Sequence, residues 1–380
     1  MTYCYDIECY PNLFCITFID IKNTDNIFQF TIFEDINELE ELSVFMSSVK
    51  CLIGYNSLYY DDLLLKYLLQ KIDKFEMDTD GLTKRLYNLS QEVISFQGFG
   101  RPDSVKYLKN TYLSIDLMSI LAFNKLKIGL KQVAINLRWP RIQDLPIHWS
   151  SYIKDREEVN IVLDYNKNDT EITIALFNKL EPEIRLRNQI GNIYGVKILN
   201  SSNADIGHRL LNKLYSQATG LDLSEFKDLR TERYIIPFKN IISDKIKFIT
   251  PNYQKLYDFL YNYVLEVGQS DNKTQDKGIY KLISKGKRYI IGTGGLHSDN
   301  PPKIYNSTEN SKIISADVNS FYPNIVIEEK VVPEHLDNRF FKLYKEIIDR
   351  RITAKKEKGS KSVEAETLKI VLNSVFGLKI

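Results

Sequence analysis

No stretch of this chain is long and apolar enough to suggest a membrane span. The opening residues, Met-Thr-Tyr-Cys-Tyr-Asp, lack the basic start and apolar run of a secretory leader. The expected compartment is the cytoplasm. Cysteine is scarce: Cys4, Cys9, Cys15 and Cys51 are the only four, and none has CxxC spacing. That excludes a disulfide frame or a zinc site and leaves reduced, mostly buried thiols. There is no internal repeat and no low-complexity tract. What is present is a globular composition of 380 residues, 43% hydrophobic, 26% charged and 12% aromatic, enough for two or three domains with their own cores.

The formal net charge of +2 hides an uneven distribution. Residues 1–80 hold fifteen Asp/Glu against five Lys, and residues 339–361 hold nine Lys/Arg against three Asp/Glu. An acidic front suits metal ions and a basic rear suits phosphates, although two solvated surfaces of opposite sign would read the same way.

Tyr3 to Tyr10 reads as a strand. Side chains two apart in a strand share a face, so Asp6 and Glu8 point the same way. Two adjacent carboxylates on an otherwise apolar strand are costly unless a cation neutralises them. Pro11-Asn12 marks a turn into a second strand over 13–21. A buried strand over 49–54 runs into a helix that opens at Tyr59-Tyr-Asp-Asp, with Asp61 in its first turn and Asn56 on the junction. Residues 130–137 are predicted helical, and 157–180 form a predicted long helix that breaks at Pro182. Within it Tyr165 and Asp169 lie four apart on one face, with Asp164 off that face toward solvent. Asp116 is expected to be structural. Four carboxylates and a tyrosine thus come from three separate elements. Four acids can hold two divalent ions that activate a water and stabilise a leaving 3′ oxygen, and the tyrosine hydroxyl can orient that water.

Residues 196–290 carry no motif; helices are predicted at 203–215 and 252–267, with a polar loop over 268–278. Between Tyr289 and Ser298, Gly294 and Gly295 would let backbone amides approach a phosphate, a glycine-rich hairpin turn being the plainer reading. Ile313-Ile-Ser-Ala-Asp317 is predicted to be a strand ending in a carboxylate, followed by a turn and a helix near Pro323. An acid so placed can hold a divalent ion or simply be solvated. The last stretch reads as a helical hairpin, 339–356 and 363–376. Arg351 and Lys355 share one face; Lys369, Asn373 and Gly377 share another; Leu368, Val371, Leu372 and Val375 make the apolar stripe. Two helices that each present cations suit a triphosphate, while a solvated basic hairpin is the commoner fate of such a charge run.

Asp6-x-Glu8, Asn56-x-x-x-Tyr60-Asp61 and Tyr165-x-x-x-Asp169 resemble the three exonuclease motifs of the DEDD nuclease superfamily, and tyrosine in place of histidine resembles its DEDDy branch. Asp317-Val-Asn-Ser-Phe-Tyr-Pro323 is similar to motif A (DxxSLYP) of family B DNA polymerases, with Phe321 in the leucine place. Lys369-Ile-Val-Leu-Asn-Ser-Val-Phe-Gly377 is similar to motif B (KxxxNSxYG), with Phe376 for tyrosine. Gly294-Gly295 sits where that family has its YxGG link, with Gly292 replacing the tyrosine.

This resemblance follows the family's order along the whole chain. It implies an α/β architecture: an RNase H-like DEDDy exonuclease domain with a mixed sheet over 1–195, a linking region over 196–290, a partial palm with motif A over 291–338, and a fingers helical hairpin with motif B over 339–380. It implies a DNA-directed DNA polymerase with 3′–5′ proofreading in DNA replication, using two Mg²⁺ or Mn²⁺ ions per active site. In the exonuclease, Asp6, Glu8, Asp61 and Asp169 would bind metal beside Tyr165. In the polymerase, Asp317 and the Val318 backbone would bind metal, Tyr322 would lie under the nucleotide sugar, and Arg351, Lys355, Lys369 and Asn373 would hold the triphosphate. Asn56, Tyr60, Gly294, Gly295 and Gly377 would meet DNA. The implied partners are primer-template DNA, single-stranded DNA and dNTPs, with no membrane.

Exonuclease motifs starting at residue 6, and no sizeable insertion between Pro323 and Arg339, resemble a compact phage-type or mobile-element enzyme, in the bacterial host cytoplasm if phage-encoded, rather than a protein-primed one. No motif C and no thumb follow motif B, so the polymerase site is expected to be incomplete here, the missing palm and thumb coming in cis or as a second chain. The alternatives are a stand-alone DEDDy exonuclease with a nucleic-acid-binding tail, and a non-catalytic binding subunit with vestigial acids.

Overall fold

The computed structural model describes residues 1–71, 78–96, 100–121, 128–226, 229, 231–266, 278–292, 295–318 and 320–375. They fall into two compact units, one of residues 1–223 with the segment from Leu343 onward, the other of residues 224–342.

The first unit is built on a six-stranded mixed sheet. β1 (Thr2–Tyr10), β2 (Leu13–Asp20), β3 (Ile27–Phe33) and β4 (Ile36–Asn37) form an antiparallel meander. β5 (Cys51–Gly54) pairs parallel to β1, and β6 (Leu113–Asp116) parallel to β5, giving the order β4-β3-β2-β1-β5-β6. This order is compatible with an RNase H-like fold. The alternation of β1 divides its side chains between two faces. Tyr3, Tyr5, Ile7 and Cys9 join a core covered by α1 (Leu39–Ser47), α2 (Asp61–Lys71) and α3 (Thr79–Ser95). Cys4 and Tyr10 enter two separate apolar clusters on the other face. Asp6 and Glu8 lie between them in the alternation, opposite Thr17 and Cys15 of β2. All four cysteines are buried free thiols.

After β6 come α4 (Leu117–Leu121), α5 (Leu130–Leu137) and α6 (Arg156–Tyr194), the last capped by the Asp155 carboxylate and closed at Gly195 in the left-handed region. α6 spans both apolar clusters of the second face. Val159 and Val162 pack in one, Ile174, Leu176 and Leu180 in the other. The break predicted at Pro182 does not occur. Proline removes one N–H and crowds the carbonyl four residues earlier, but α6 is fastened on both sides of it. Leu180 and Ile184 sit in or against one cluster. Beyond them Arg187, 2% exposed, donates to the Ser201 carbonyl at 3.0 Å, to Glu183 at 2.8 Å and to Asn203 at 2.9 Å. Asn200 then reaches the free edge of β6: its amide donates to the Ser114 carbonyl and accepts from the Asp116 amide, both at 2.8 Å.

α7 (Asn203–Thr219) completes this part of the unit. α8 (Leu223–Phe226) carries the chain into the second unit, which holds a short strand pair, β7 (Ile235–Pro237) with β8 (Val264–Glu266). α9 (Pro251–Asn262) stops before β8, so the helix predicted to reach residue 267 is shorter. It packs Leu256 against Leu282 and Ile291 of a three-stranded sheet, β9 (Tyr280–Ser284), β10 (Lys287–Gly292) and β11 (Gly295–Ser298). The glycine-rich segment is thus a β10–β11 hairpin, with Gly292 opposite Gly295. The strand predicted over Ile313–Asp317 is absent: these residues are irregular and exposed, Ile314 at 84%, and among the described residues no strand lies paired to them. A β-favouring run without a hydrogen-bonding partner has nothing to hold it extended. α10 (Phe321–Glu328) follows, two residues ahead of Pro323.

The chain returns to the first unit in α11 (Asn338–Lys358) and α12 (Val363–Ser374), the predicted helical hairpin. Leu368, Val371 and Leu372 are buried as predicted, and Tyr344 donates to the Leu372 carbonyl at 3.1 Å. α12 crosses α7 at Gly207, where a Cβ would stand 2.2 Å from Ser374 Cβ, so only glycine permits this approach. Among the described residues, no helix is long and apolar enough to cross a membrane.

Candidate metal centre

Between its two apolar anchorages α6 turns Tyr165, Asn166 and Asp169 toward β1. Carboxylate oxygens of Asp6, Glu8 and Asp169 lie within 4.8 Å of one another, the one group of three such side chains among the described residues. The Tyr165 hydroxyl bears on Asp169, lowering its carboxyl. Asn166 donates to Asp6 at 2.8 Å. Asp61, 5% exposed at the start of α2, is outside the 4.8 Å group, yet its charge bears on both Asp6 and Glu8.

The turn before α2 explains how Asp61 is placed. β5 ends at Gly54, where a Cβ would meet Ser57 at 2.5 Å. Asn56 then takes φ 60°, a left-handed conformation that asparagine tolerates. Asp116 fixes the turn from the adjacent strand, accepting from the backbone of Asn56 at 2.9 Å and of Leu58 at 3.4 Å. This is the structural role expected for it. Tyr60 packs against the core on the α1–α3 face.

Electrostatically the cluster is strained. Burial, then Asp61, Glu8 and Asp169, raise the Asp6 carboxyl well above its ordinary range. Glu8 is pushed up to about 8 by burial and by Asp169 and Asp61. Burial takes Asp61 to about 8 against its backbone hydrogen bonds, and Asp169 to about 6 against Tyr165, Lys131 and Arg141. Oxygen-only donors with so much uncompensated charge fit a hard divalent ion such as Mg²⁺ or Mn²⁺.

Sequence reasoning missed the groups that temper this charge. Asn166 is one. Lys131, on α5, lowers Glu8 and Asp169, and pairs with Asp144 at 2.8 Å. Arg141 bonds Asn168 at 3.1 Å and pairs with Asp164, which is therefore engaged although exposed. Asn166 stands between two motif residues and could have been found from its helical spacing; Lys131 and Arg141 required the tertiary fold.

The remaining candidates lie elsewhere. In the second unit Asp317 and Val318 are exposed on irregular backbone, and Tyr322 is half-exposed in α10 beside Phe321. Asp317 belongs to no group of three ligands among the described residues. Gly295 is exposed at φ 143° in the β10–β11 hairpin. In the first unit Lys355, Lys369 and Asn373 are exposed, Lys369 pairing with Glu366 at 3.3 Å, and Arg351 is partly buried. Gly294 and Gly377 fall outside the described residues.

No protein-family model and no curated protein matches the sequence. Among solved structures the chain is distantly similar to the family B DNA polymerase from the hyperthermophilic archaeon Pyrobaculum calidifontis, at 13% sequence identity and a TM-score of 0.44. The likeness covers 99% of this chain and 46% of that one, so the chain spans about half its length.

Proposed function

We propose that the first unit is a metal-dependent 3′–5′ exonuclease of the DEDDy type, carried by a family B DNA polymerase-like chain that serves DNA replication. The observation that carries the nuclease reading is the convergence of Asp6, Glu8 and Asp169 within 4.8 Å, with the Tyr165 hydroxyl acting to lower the Asp169 carboxyl. Two divalent ions would supply the charge neutralisation and water activation that phosphodiester hydrolysis needs. The carboxylates of β1, α2 and α6 would hold them from three directions. Asn166, which donates to Asp6 at 2.8 Å, would orient that carboxylate, and the Tyr165 hydroxyl would orient the attacking water. The 3′ end of single-stranded DNA is the proposed substrate.

The polymerase half rests on the similarity to motifs A and B. In this reading Asp317 and Val318 serve a metal, Tyr322 the sugar, and Arg351, Lys355, Lys369 and Asn373 the triphosphate, within the palm and fingers segments expected from the sequence.

Degradation of a 5′-labelled single-stranded oligonucleotide in Mg²⁺ or Mn²⁺ tests the nuclease, and Asp6→Ala with Glu8→Ala should abolish it while the protein stays folded. Undiminished cleavage by that double variant would remove the site assignment. Titration of a dNTP against Lys355→Ala with Lys369→Ala tests the nucleotide reading, and equal affinity in both proteins would remove it.

A further inference from the structure

The first unit carries a concavity that none of the proposed catalytic side chains lines and that touches the turn before α2, next to Asp61. It is a cavity of about 1000 Å³ running from the turn before α2, along the β6 edge, to the far end of α6. Its size is at the upper end for a small-ligand pocket. Five cationic side chains line it, Lys66, Arg101, Arg187, Lys197 and Arg209, against two acids, Asp62 and Asp205.

The cations divide into two kinds. Lys66 and Arg187 are buried and committed: Lys66 bonds Asp62 at 2.5 Å and Asn110 at 2.7 Å, and Arg187 ties α6 to the following loop. Arg209 pairs with Asp205. These pairs make a charged but rigid wall. Arg101 and Lys197 are exposed and, among the described residues, have no carboxylate partner. Tyr59, 52% exposed, stands at the same rim. Arg101 donates to the Leu58 carbonyl at 3.5 Å. Cations without a carboxylate partner beside an open aromatic ring suit a single strand, whose phosphates need charge and whose bases need a stacking surface. Tyr59 is also two residues from Asp61, so the cavity and that one carboxylate share a turn.

From this we infer that the cavity is a holding groove for the single-stranded DNA whose end is cut at the carboxylates. Arg101 and Lys197 bind backbone phosphates and Tyr59 stacks a base. The inference rests on the nuclease reading for its place in the reaction, but not for its binding chemistry.

The test separates the two. In EDTA, with Asp6→Ala and Glu8→Ala present so that nothing is cut, the anisotropy of labelled oligo(dT) is followed against salt. Adding Arg101→Gln with Lys197→Gln should reduce the slope of log affinity against log salt by about 1.4, the effect of two lost single-strand phosphate contacts. Tyr59→Ala should weaken binding roughly tenfold. In the otherwise intact chain, Arg101→Gln with Lys197→Gln should raise KM for oligo(dT) degradation. It should change hydrolysis of the p-nitrophenyl ester of thymidine 5′-monophosphate, which reaches only the carboxylates, by less than about twofold. An unchanged salt slope would overturn the groove, as would dTMP competing as well as oligo(dT), which would make the cavity a mononucleotide site. Failure of the unsubstituted chain to hydrolyse the ester would overturn the nuclease reading and leave the salt slope to judge the groove.

Discussion

Glu8→Gln removes one half-buried carboxylate with almost no change in side-chain size, and it should make the metal-free protein more stable at alkaline pH. The folded chain raises this carboxyl from 4.5 to about 8. It therefore holds the proton more tightly than the unfolded chain does. The associated stability is complete below about pH 4.5 and is lost as pH rises through about 8. At ~1.4 kcal/mol per pH unit, a rise from 4.5 to about 8 corresponds to a ceiling of roughly 5 kcal/mol. Partial solvent access at this position lowers the expected figure to ~2–3 kcal/mol. Urea unfolding in EDTA from about pH 5 to 9 measures the effect, together with the relief Asp6 gains from losing the Glu8 charge. The wild type should lose ~2–3 kcal/mol more than the variant across that window. At the alkaline end Mg²⁺ or Mn²⁺ should restore the wild type, by ~2.7 kcal/mol at a hundredfold excess over Kd, and should affect the variant much less. Parallel pH curves would refute burial among like charges as the cause. A wild type indifferent to divalent ions would refute the metal centre itself.

Tyr165→Phe should slow single-stranded DNA degradation about 10- to 100-fold, the worth of a hydrogen bond to a charged group, with metal affinity nearly intact; a large loss of metal affinity by calorimetry would reassign the hydroxyl. Arg187→Leu should cost about 3 kcal/mol in chemical denaturation, because it strips a buried cation from the Ser201 carbonyl, Glu183 and Asn203; a cost below ~1 kcal/mol would show these bonds to be dispensable. Gly207→Ala should destabilise by ~1–3 kcal/mol through the clash with Ser374, and Ser374→Gly should recover part of it. Additivity of that pair would mean that the helices separate freely.

Much of the first unit was legible because local chemistry and tertiary fold agree there. The alternation in β1 put Asp6 and Glu8 on one side, and the four-residue spacing put Tyr165 and Asp169 on one helical face, as found. Residues 130–137 read as a helix with the bounds it has. Local rules failed where distant partners decide. Pro182 should end a helix, but packing before it and Arg187 after it carry α6 through. Ile313–Asp317 has strand composition, yet composition supplies no neighbouring strand. Lys131 and Arg141 bear on the carboxylates only because α5 and the residues after it fold back over α6, which no spacing encodes.

The bond between Asn200 and β6 bears on how this protein can be divided. An open strand end in a sheet invites pairing with another molecule, and proteins block such edges to stay dispersed. Here a single side-chain amide does so, imitating a peptide group against Ser114 and Asp116. It lies beyond residue 195, where the nuclease motifs would suggest cutting. A fragment ending at 195 keeps every proposed catalytic side chain but bares the Ser114 carbonyl and the Asp116 amide, and should self-associate through β6. One carried through α7 retains that block and should not associate through β6.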